Sequence, residues 1–376
     1  MRPRTARESV VWETRLLAVV VATLVVFGIA AVYGASSIVA VEQSEPGWAF
    51  AGRQLVGAFV GGVLCVIVAR LDYHVWQRFA WPLLGASALL LLIPVLPWTH
   101  AIAPEINGAR RWIYLPVVSF QPSELASLAV VAWTAMLAAK KDDLVREFKR
   151  GLLPFMVIVG PLSALVLVEP DLSGAVFLAL LAGVVLFTAG ARIGHFLLLG
   201  LAAVPIAWHE IASVQYRLTR VLTFLSPGAD AQESSWQITQ SVIGVGSGRV
   251  FGVGFGQGQQ KLGYLPYAYS DFIFSTIGEE WGFMGVCVIV LFYAVLIGLG
   301  FRIARTASDR FGMLLATGLT AAIGISAVVH MAVSLALVPT TGLPLPLISY
   351  GRTSLLITLV SAGVLISIGR QRGRAV

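Results

Sequence analysis

The sequence predicts an all-α polytopic membrane protein with about ten transmembrane helices, and three observations support this fold class. Of the 376 residues, 57% are hydrophobic. Only 12% are charged, whereas a soluble domain carries roughly 25%. Apolar runs of about 20 residues, the length that a helix needs to cross a bilayer, recur along the chain. This composition excludes a soluble enzyme built of two or three ordinary domains.

The apolar runs define the order of the spans within a single transmembrane domain, residues 16–369. They cover residues 16–38, 49–69, 78–97, 124–139, 152–168, 172–190, 194–208, 271–301, 311–337 and 353–369. The seventh run is short, and the eighth is long enough to begin outside the membrane. The first run follows a basic tail, residues 1–15, and is longer than the core of a typical signal peptide. A retained helix is therefore favoured over a cleaved signal peptide.

The positive charges predict the orientation of the spans. With the N-terminus inside, 18 of the 26 Lys and Arg residues fall in cytoplasmic segments, including the linker 140–150 and the tail 370–376. An excess of Lys and Arg in cytoplasmic loops sets the topology of membrane proteins. Both termini are therefore expected in the cytoplasm. The same asymmetry accounts for the net charge of +7 without a nucleic-acid partner.

Two extracytoplasmic segments, residues 98–123 and 209–270, are too long to be simple turns. The second is the large loop between spans seven and eight. It is not of low complexity and contains Trp236 and Tyr264, so we expect it to fold against the helices.

A glycine-rich stretch within this loop has a superficial likeness to a nucleotide-binding loop. Gly252, Gly254, Gly256 and Gly258 lack the G-x-G-x-x-G spacing, and no βαβ unit surrounds them. These glycines are expected to allow tight turns or close backbone approach instead.

Cysteine and histidine predict neither a disulfide nor a metal site. Cys65 and Cys287 both lie inside apolar runs, and the five histidines are scattered without the spacing of metal ligands. His330, deep in the ninth span, is interpreted as a hydrogen-bonded core residue, with a proton relay as the alternative.

Charged side chains gather at the outer ends of the spans, where each is costly unless it has a partner or a function. Ion pairs between helices would explain them one by one. Their clustering on one side favours a polar cavity that opens outward and holds an anionic ligand. The cluster comprises Arg53, Arg110, Arg111, Glu124, Glu169, Asp171, Asp271, Glu279 and Glu280.

The adjacent arginines Arg110 and Arg111 precede Trp112. Guanidinium groups match phosphate oxygens in a bidentate way, so the pair is a candidate phosphate ligand. Snorkelling of both side chains beside an interfacial tryptophan explains the pattern equally well.

Asp271 stands where the long loop runs into the eighth span. It is either a residue of the first helical turn, favoured by the helix dipole, or a carboxylate at the membrane edge that acts as a base. On a helical wheel, Glu279 lies about 80° from Asp271 and is a candidate for the same cavity. Glu280 lies about 180° away and is expected to meet another helix.

Several short motifs, taken together, resemble those of the SEDS family, which comprises FtsW, RodA and SpoVE. They follow the family order over nearly the whole chain, and the arginine motif and the Gln-Lys pair resemble FtsW more than RodA. The motifs are NGARRWI at 107–113, SFQPSE at 119–124, EPDL at 169–172, QS at 240–241 followed by GSG at 246–248, QK at 260–261 with YLP at 264–266, DFIF at 271–274 with GEE at 278–280, PTTGL at 339–343 and PLISYG at 346–351.

The resemblance implies a ten-helix peptidoglycan glycosyltransferase in the bacterial cytoplasmic membrane, with its active site facing outward. Such proteins polymerise lipid II alongside a class B penicillin-binding protein and other proteins of the division or elongation complex. By this resemblance Asp271 is the general base, which takes a proton from the 4-hydroxyl of the acceptor sugar. That oxygen then attacks the anomeric carbon of the donor with inversion, and undecaprenyl pyrophosphate leaves.

The resemblance also implies a set of substrate-binding residues on the outer side. Arginine or lysine is needed at the leaving pyrophosphate, where a divalent cation, Mg²⁺ or Mn²⁺, is a further possibility. The set comprises Arg53, Arg110, Arg111, Gln121, Ser123, Glu124, Glu169, Asp171, Lys261, Ser349 and Arg352.

The chain departs from the family pattern beside the expected base. Tyr267 and Tyr269 stand where the family has Glu and His, and Arg352 replaces a glycine. Reduced activity is therefore one implication, and a non-catalytic division scaffold is one alternative function. A flippase for lipid II is the other alternative, although the ionisable residues gather at the outer edge rather than along a path through the membrane.

Overall fold

The computed structural model describes residues 6–106, 108–114, 119–225 and 233–372. Over these ranges the chain forms twelve α-helices and one antiparallel pair of two-residue strands. The all-α prediction is thereby confirmed. Asn107 of the arginine motif lies outside the described residues, as do residues 1–5 and 373–376 of the two tails.

The helices follow one another with short connections except at residues 96–121, 248–272 and 335–351. They are α1 (Ala6–Glu42), α2 (Ala49–Arg70), α3 (His74–Val95), α4 (Pro122–Lys141), α5 (Leu153–Val168), α6 (Leu172–Thr188), α7 (Ile193–Ala212), α8 (Gln215–Leu225), α9 (Glu233–Ser247), α10 (Ile273–Arg305), α11 (Arg310–Ser334) and α12 (Arg352–Arg370). The strands β1 (Ile113–Tyr114) and β2 (Ser119–Phe120) lie between α3 and α4.

Nine helical segments in the described ranges are long and apolar enough to cross a membrane. The shorter apolar helix α6, of 17 residues, occupies the position of the sixth expected span. The short helices α8 and α9 lie in the long segment 209–270. The polytopic membrane architecture expected from the sequence is therefore present.

Two of the element boundaries that differ from the expected ones have a cause in the sequence. Helix α1 begins at Ala6, inside the segment assigned to the basic tail, because residues 6–15 contain no glycine or proline. Helix α7 continues to Ala212 and has 20 residues, since His209 and Glu210 prolong it beyond the apolar run.

Helices α4, α11 and α12 form the centre of the bundle, and roughly three quarters of the most apolar stretch of each is buried. Close backbone approach holds the surrounding helices to them. A β-carbon at Gly363 of α12 would lie 2.6 Å from the carbonyl oxygen of Cys65 in α2. Gly318 of α11 packs in the same way against Val131 of α4 and Val185 of α6.

Helix α10 is interrupted at Gly282, whose φ of 65° is not helical. The backbone groups freed by the break bond to residues 249–254 of the preceding loop. Phe283 N–H donates to the Arg249 carbonyl at 2.8 Å, and Val253 N–H donates to the Glu279 carbonyl at 3.0 Å. A broken membrane helix is stable only where other groups satisfy its backbone, and here the glycine-rich loop does so.

Gly252 of that loop allows the close backbone approach that the sequence predicts. Gly252 has a φ of +80°, and a β-carbon there would collide with the Glu280 carbonyl group. A β-carbon on Gly248 would likewise collide with the carbonyl of Gly278. Close packing against α10 therefore explains these glycines.

Two acidic side chains of α10 anchor the loop from the other side. Glu279 accepts hydrogen bonds from the backbone N–H groups of Gln259 at 2.8 Å and Gln260 at 3.3 Å. Glu280 forms an ion pair with Lys261 at 3.1 Å, and both side chains are at most 5% exposed. A buried pair with good geometry offsets the cost of desolvating each charge.

Candidate functional site

A cavity of about 520 Å³ opens between α4, α6, α8, α11 and α12. Residues of α9, of the strand pair and of the loops before β1, α10 and α12 complete its wall. Its charged lining in the described residues comprises three acidic and three basic side chains: Arg111, Glu124, Asp171, Arg220, Asp271 and Arg352. A polar cavity of this size inside an apolar bundle is the candidate functional site.

Asp271 lies in a tight turn immediately before α10. The carbonyl oxygen of Tyr267, a residue with a φ of 56°, accepts hydrogen bonds from Ser270 N–H at 3.0 Å and Asp271 N–H at 3.1 Å. The helix begins two residues later, at Ile273. Asp271 is therefore a turn residue in the cavity wall and does not belong to the helical wheel of α10.

This turn is fastened to the segment that precedes α12. Tyr350 N–H donates to the carbonyl of Tyr269 at 3.0 Å, and the Ser349 hydroxyl donates to the carbonyl of Ser270 at 2.7 Å. The buried side chain of Gln54 in α2 holds the same segment. It donates to the Ser349 carbonyl at 3.0 Å and accepts from Gly351 N–H at 3.3 Å.

The surroundings of Asp271 alter its acidity in two opposing ways. Burial disfavours the charged carboxylate and raises the pKa of Asp271. The positive charges of Arg220 and Arg111 lower the pKa, but they do not cancel the effect of burial. A carboxylate with a raised pKa and nearby cations is a candidate general base.

Arg111 is oriented by the connection between α5 and α6. Its guanidinium group donates to the carbonyl oxygens of Glu169, at 3.2 Å, and of Pro170. It lies 3.9 Å from the Asp171 carboxylate, which also caps α6 by accepting from Gly174 N–H at 2.9 Å. The EPDL motif therefore fixes a cation at the cavity.

Glu169 itself does not line the cavity. It is 2% exposed, and neither carboxylate oxygen has a hydrogen-bond partner among the described residues. Burial, reinforced by the negative charge of Asp171, raises the pKa of Glu169 to about 9. The side chain is therefore protonated at neutral pH.

The SFQPSE motif brings polar side chains to the cavity at the start of α4. Gln121, Ser123 and Glu124 all line it, and the Gln121 amide donates to the Ser123 hydroxyl at 3.1 Å. Arg352 also lines the cavity and donates to the hydroxyl of Ser119, the first residue of this motif, at 3.3 Å.

The structure places the other expected site residues outside the cavity lining. Arg53 pairs with Glu45 at 2.6 Å and stacks over the ring of Phe50. Arg110 donates to the carbonyls of Ala103 and Leu96 and to the Thr99 hydroxyl at 2.8, 3.1 and 2.9 Å.

Lys261 forms a buried ion pair with Glu280. The hydroxyl of Ser349 donates to a backbone carbonyl of the Asp271 turn. Glu279, a candidate for the cavity on the helical wheel, instead bonds to the glycine-rich loop.

Several residues of the cavity lining were not singled out from the sequence as site residues. Arg220 of α8 and Gln237 of α9 both line the cavity, as does Tyr350. The pattern that indicates Arg220 lies in residues 215–225, where basic and apolar residues are spaced as in an amphipathic helix. Gln54, which supports the site from behind, gave no signal, because a lone glutamine in an apolar span has many structural explanations.

In the part of the chain that the structure describes, no three His, Cys, Asp or Glu side chains are grouped closely enough to hold a metal ion. His330 donates its Nδ1–H to the Leu343 carbonyl oxygen, 2.9 Å away, as expected of a core histidine.

The chain is a polytopic membrane protein whose helices surround a cavity lined by charged side chains. The model of the FtsW, RodA and SpoVE family of cell cycle proteins matches residues 14–374. The chain belongs to this family.

Individual relatives extend this likeness over almost the full chain. A probable peptidoglycan glycosyltransferase FtsW of Trichlorobacter lovleyi is 43% identical over 353 residues, which are 94% of this chain and 92% of the relative. Stage V sporulation protein E of Bacillus subtilis is 35% identical and covers 94% of this chain and 96% of its own length.

Two solved structures share the fold. One is a chain of a peptidoglycan synthase complex that coordinates polymerization and crosslinking, with a TM-score of 0.77, 29% identity and coverage of 95% and 98% of the two chains. The other is the rod shape determining protein RodA of Thermus thermophilus, with a TM-score of 0.70, 29% identity and coverage of 95% and 96%.

Proposed function

We propose that the chain is a peptidoglycan glycosyltransferase that polymerises lipid II into glycan strands, with Asp271 as its general base. The observation that carries this proposal is the placement of Asp271, half-buried in the cavity wall, with two guanidinium groups close enough to affect its charge. Membership in the family and the names of the relatives supply the reaction class.

The proposed reaction is a displacement at the anomeric carbon of the donor sugar. Asp271 accepts the proton of the acceptor 4-hydroxyl while that oxygen forms the new bond to the anomeric carbon. The bond from this carbon to the pyrophosphate oxygen breaks, its electron pair leaves with undecaprenyl pyrophosphate, and the configuration inverts. A base is most effective when its pKa lies near the working pH, so the raised pKa of Asp271 suits this role.

The remaining polar lining fits substrate binding. Arg111 and Arg352 supply cations for phosphate oxygens, which guanidinium groups bind in a bidentate manner. Gln121, Ser123 and Glu124 supply hydrogen-bonding groups for sugar hydroxyls. Asp171 is the partner that orients Arg111.

The proposal includes a cellular setting. The active site would face outward from the bacterial cytoplasmic membrane, where lipid II is presented, as the distribution of positive charge predicts. A class B penicillin-binding protein is the expected partner, in line with the synthase complex whose chain shares this fold. The similarity to FtsW relatives favours a role in cell division.

Reconstitution tests the proposal directly. The purified protein, with its cognate penicillin-binding partner, is supplied with lipid II in detergent, and glycan products are separated by gel electrophoresis. Ladders are expected with the native protein and should disappear with Asp271→Asn, which keeps the shape of the side chain but cannot accept the proton. General-base contributions of about 10²–10⁴-fold make this loss easy to measure.

Each other outcome has a meaning. Ladders that persist in Asp271→Asn would remove Asp271 as the base. No ladders, with intact partner binding, would point to a scaffold, and movement of lipid II across liposome membranes without polymerisation would point to a flippase.

A further inference from the structure

A second cavity, separate from the charged cavity that Asp271 lines, lies between α1 and the first half of α10. Its volume is about 350 Å³, and its walls are almost entirely apolar. Leu24 of α1, which is 1% exposed, forms part of its floor. Trp281, Met284 and Val288 of α10 line it as well, and each is at least 40% exposed. The cavity is therefore a groove that opens along the surface of two membrane-spanning helices.

The glycine-rich loop that bonds to the break in α10 closes one end of this groove. Phe251 of the loop lines the groove and is 82% exposed. The preceding residue, Val250, accepts a hydrogen bond at its carbonyl from Met284 N–H at 3.0 Å. Val253 and Phe255 of the same loop are also exposed. Apolar side chains grouped in this way are typical of a surface that meets the boundary between lipid headgroups and hydrocarbon.

Arg249 places a positive charge at the same end of the groove. It stands two residues before Phe251, and its carbonyl accepts a hydrogen bond from Phe283 N–H of α10 at 2.8 Å. Its side chain is exposed, and within the described ranges no residue forms a hydrogen bond or ion pair with its guanidinium group. A charge beside a membrane-spanning helix is costly unless an anion or water satisfies it. The planar fork of a guanidinium group matches the oxygens of a phosphate.

We propose that this groove binds a membrane phospholipid, with one acyl chain lying along α1 and α10 and the phosphate group at Arg249. Among the described residues, none lines both this groove and the charged cavity. The site is therefore distinct from that of the proposed reaction and does not depend on it.

The size of the groove favours a hydrocarbon chain over a helix of a partner protein. An α-helix with its side chains is about 10 Å across, so a groove of 350 Å³ admits only individual side chains of such a helix. A flexible acyl chain can follow the groove along its length. An apolar helix would also leave Arg249 without an anion, whereas a phospholipid supplies one.

The charge at Arg249 decides which lipid is preferred. The hydrocarbon of the bilayer is as apolar as the groove, so an acyl chain gains little from leaving one for the other. The attraction between Arg249 and a phosphate is the term that distinguishes a phospholipid from a lipid without phosphate. Binding should therefore depend on both the phosphate and the arginine.

Photo-crosslinking of the full-length protein in vesicles tests the proposal. The vesicles consist of phosphatidylcholine with a trace of phosphatidylglycerol that carries a diazirine in one acyl chain, and labelled peptides are identified by mass spectrometry. Label is expected on residues 23–27 and 284–292, measured relative to the label on α7, whose apolar surface is exposed to lipid. A diacylglycerol probe with the same acyl chains but no phosphate should label the groove about fivefold less.

Two sets of variants separate the phosphate from the groove. Arg249→Gln should lower the phosphatidylglycerol label about fivefold without changing the diacylglycerol label, and Arg249→Lys should keep most of it. Val288→Trp fills the groove and should remove the label from both helices. Val290→Trp is the matched control, because Val290 is similarly exposed on α10 but does not line the groove, and it should leave the label unchanged.

Several outcomes would overturn the proposal. Equal labelling of the groove by the two probes, or an unchanged label in Arg249→Gln, would remove the phosphate site. Label spread evenly over α10, with Val288→Trp and Val290→Trp alike, would mean ordinary contact with the bilayer. Displacement of the label by the penicillin-binding partner, or by undecaprenyl phosphate in an amount equal to that of the probe, would identify a different occupant.

Discussion

At the scale of single residues, the site depends on which of several similar side chains reaches the cavity. Arg110 and Arg111 are adjacent and chemically identical. Arg110 donates hydrogen bonds to carbonyl groups of its own loop, whereas Arg111 lines the cavity. The sequence predicts the cationic pair but cannot assign the two roles, because they depend on the carbonyl groups that the loop happens to present. Asp271 was predictable, since its motif and its place before an apolar helix agree.

The raised pKa of Asp271 leads to a prediction for the pH dependence of polymerisation. Activity needs the carboxylate, so kcat/KM should fall as the pH drops through the pKa of Asp271, at a higher pH than that of an ordinary aspartate. Arg111→Gln removes a charge that lowers this pKa and should move the acid limb to still higher pH. An acid limb that does not move in this variant would contradict the assignment.

Glu169 allows a prediction about stability. Its pKa in the folded protein is about 9, above the value of about 4.3 for an exposed glutamate. The unfolded chain releases the proton first, so the folded state loses stability as the pH rises between these values. Glu169→Gln, which is neutral at every pH, should remove that loss.

Thermal unfolding in detergent at pH 6 and pH 8.5 measures this effect. The difference in Tm between the two pH values should be smaller for Glu169→Gln than for the native protein. Glu147→Gln, on an exposed side chain, is the control and should leave the difference unchanged. Equal differences in all three proteins would mean that Glu169 is ionised in the folded state.

At the scale of elements, the interruption of α10 couples a helix to a loop. The sequence predicts a long eighth span and glycines suited to close approach, but it cannot pair residues 249–254 with residues 279–284. That pairing depends on non-local backbone hydrogen bonds, which leave no periodic signal in the sequence. The helical wheel placed Glu279 beside Asp271 because it assumed one continuous helix from Asp271. In the structure Asp271 precedes the helix, and Glu279 bonds to the loop.

Gly252→Ala tests this coupling. The added methyl group meets the Glu280 carbonyl, and alanine is strained at a φ of +80°. We expect a loss of at least about 2 kcal/mol in the free energy of unfolding, observed as a lower Tm in detergent. Gly298→Ala, in the regular part of α10 with open space around it, is the matched control and should be neutral or slightly stabilising. Equal stability of the two variants would show that the loop does not pack into the break.

At the scale of the whole molecule, the bundle is predictable and the cavity is not. Span number and order follow from hydropathy, since each helix must match the thickness of the bilayer. The cavity is formed by segments that are distant in sequence, such as residues 119–124, 171–177 and 341–358, and only helix packing brings them together. A hydropathy profile does not detect short helices such as α8, so it does not predict that Arg220 reaches the cavity.

Gln54 provides a test of how distant elements support the site. It reaches from α2 to the segment before α12, which in turn holds the Asp271 turn. Gln54→Leu should lower kcat about tenfold through the loss of two hydrogen bonds, with little change in KM for lipid II. Gln371→Leu removes a comparable amide contact, to the Leu71 carbonyl outside the cavity, and should leave kcat unchanged. Equal kcat values for the two variants would contradict the role of Gln54.

The bonds from Ser349 and Tyr350 to the Asp271 turn also set an order of events during synthesis. The ribosome produces Asp271 about 80 residues before these two partners, whereas the glycine-rich loop emerges before the broken helix that it completes. The interrupted helix can therefore form as soon as it enters the membrane. The carboxylate, in contrast, gains its fixed position only when the last helix arrives, so a nascent or C-terminally truncated chain lacks a finished site.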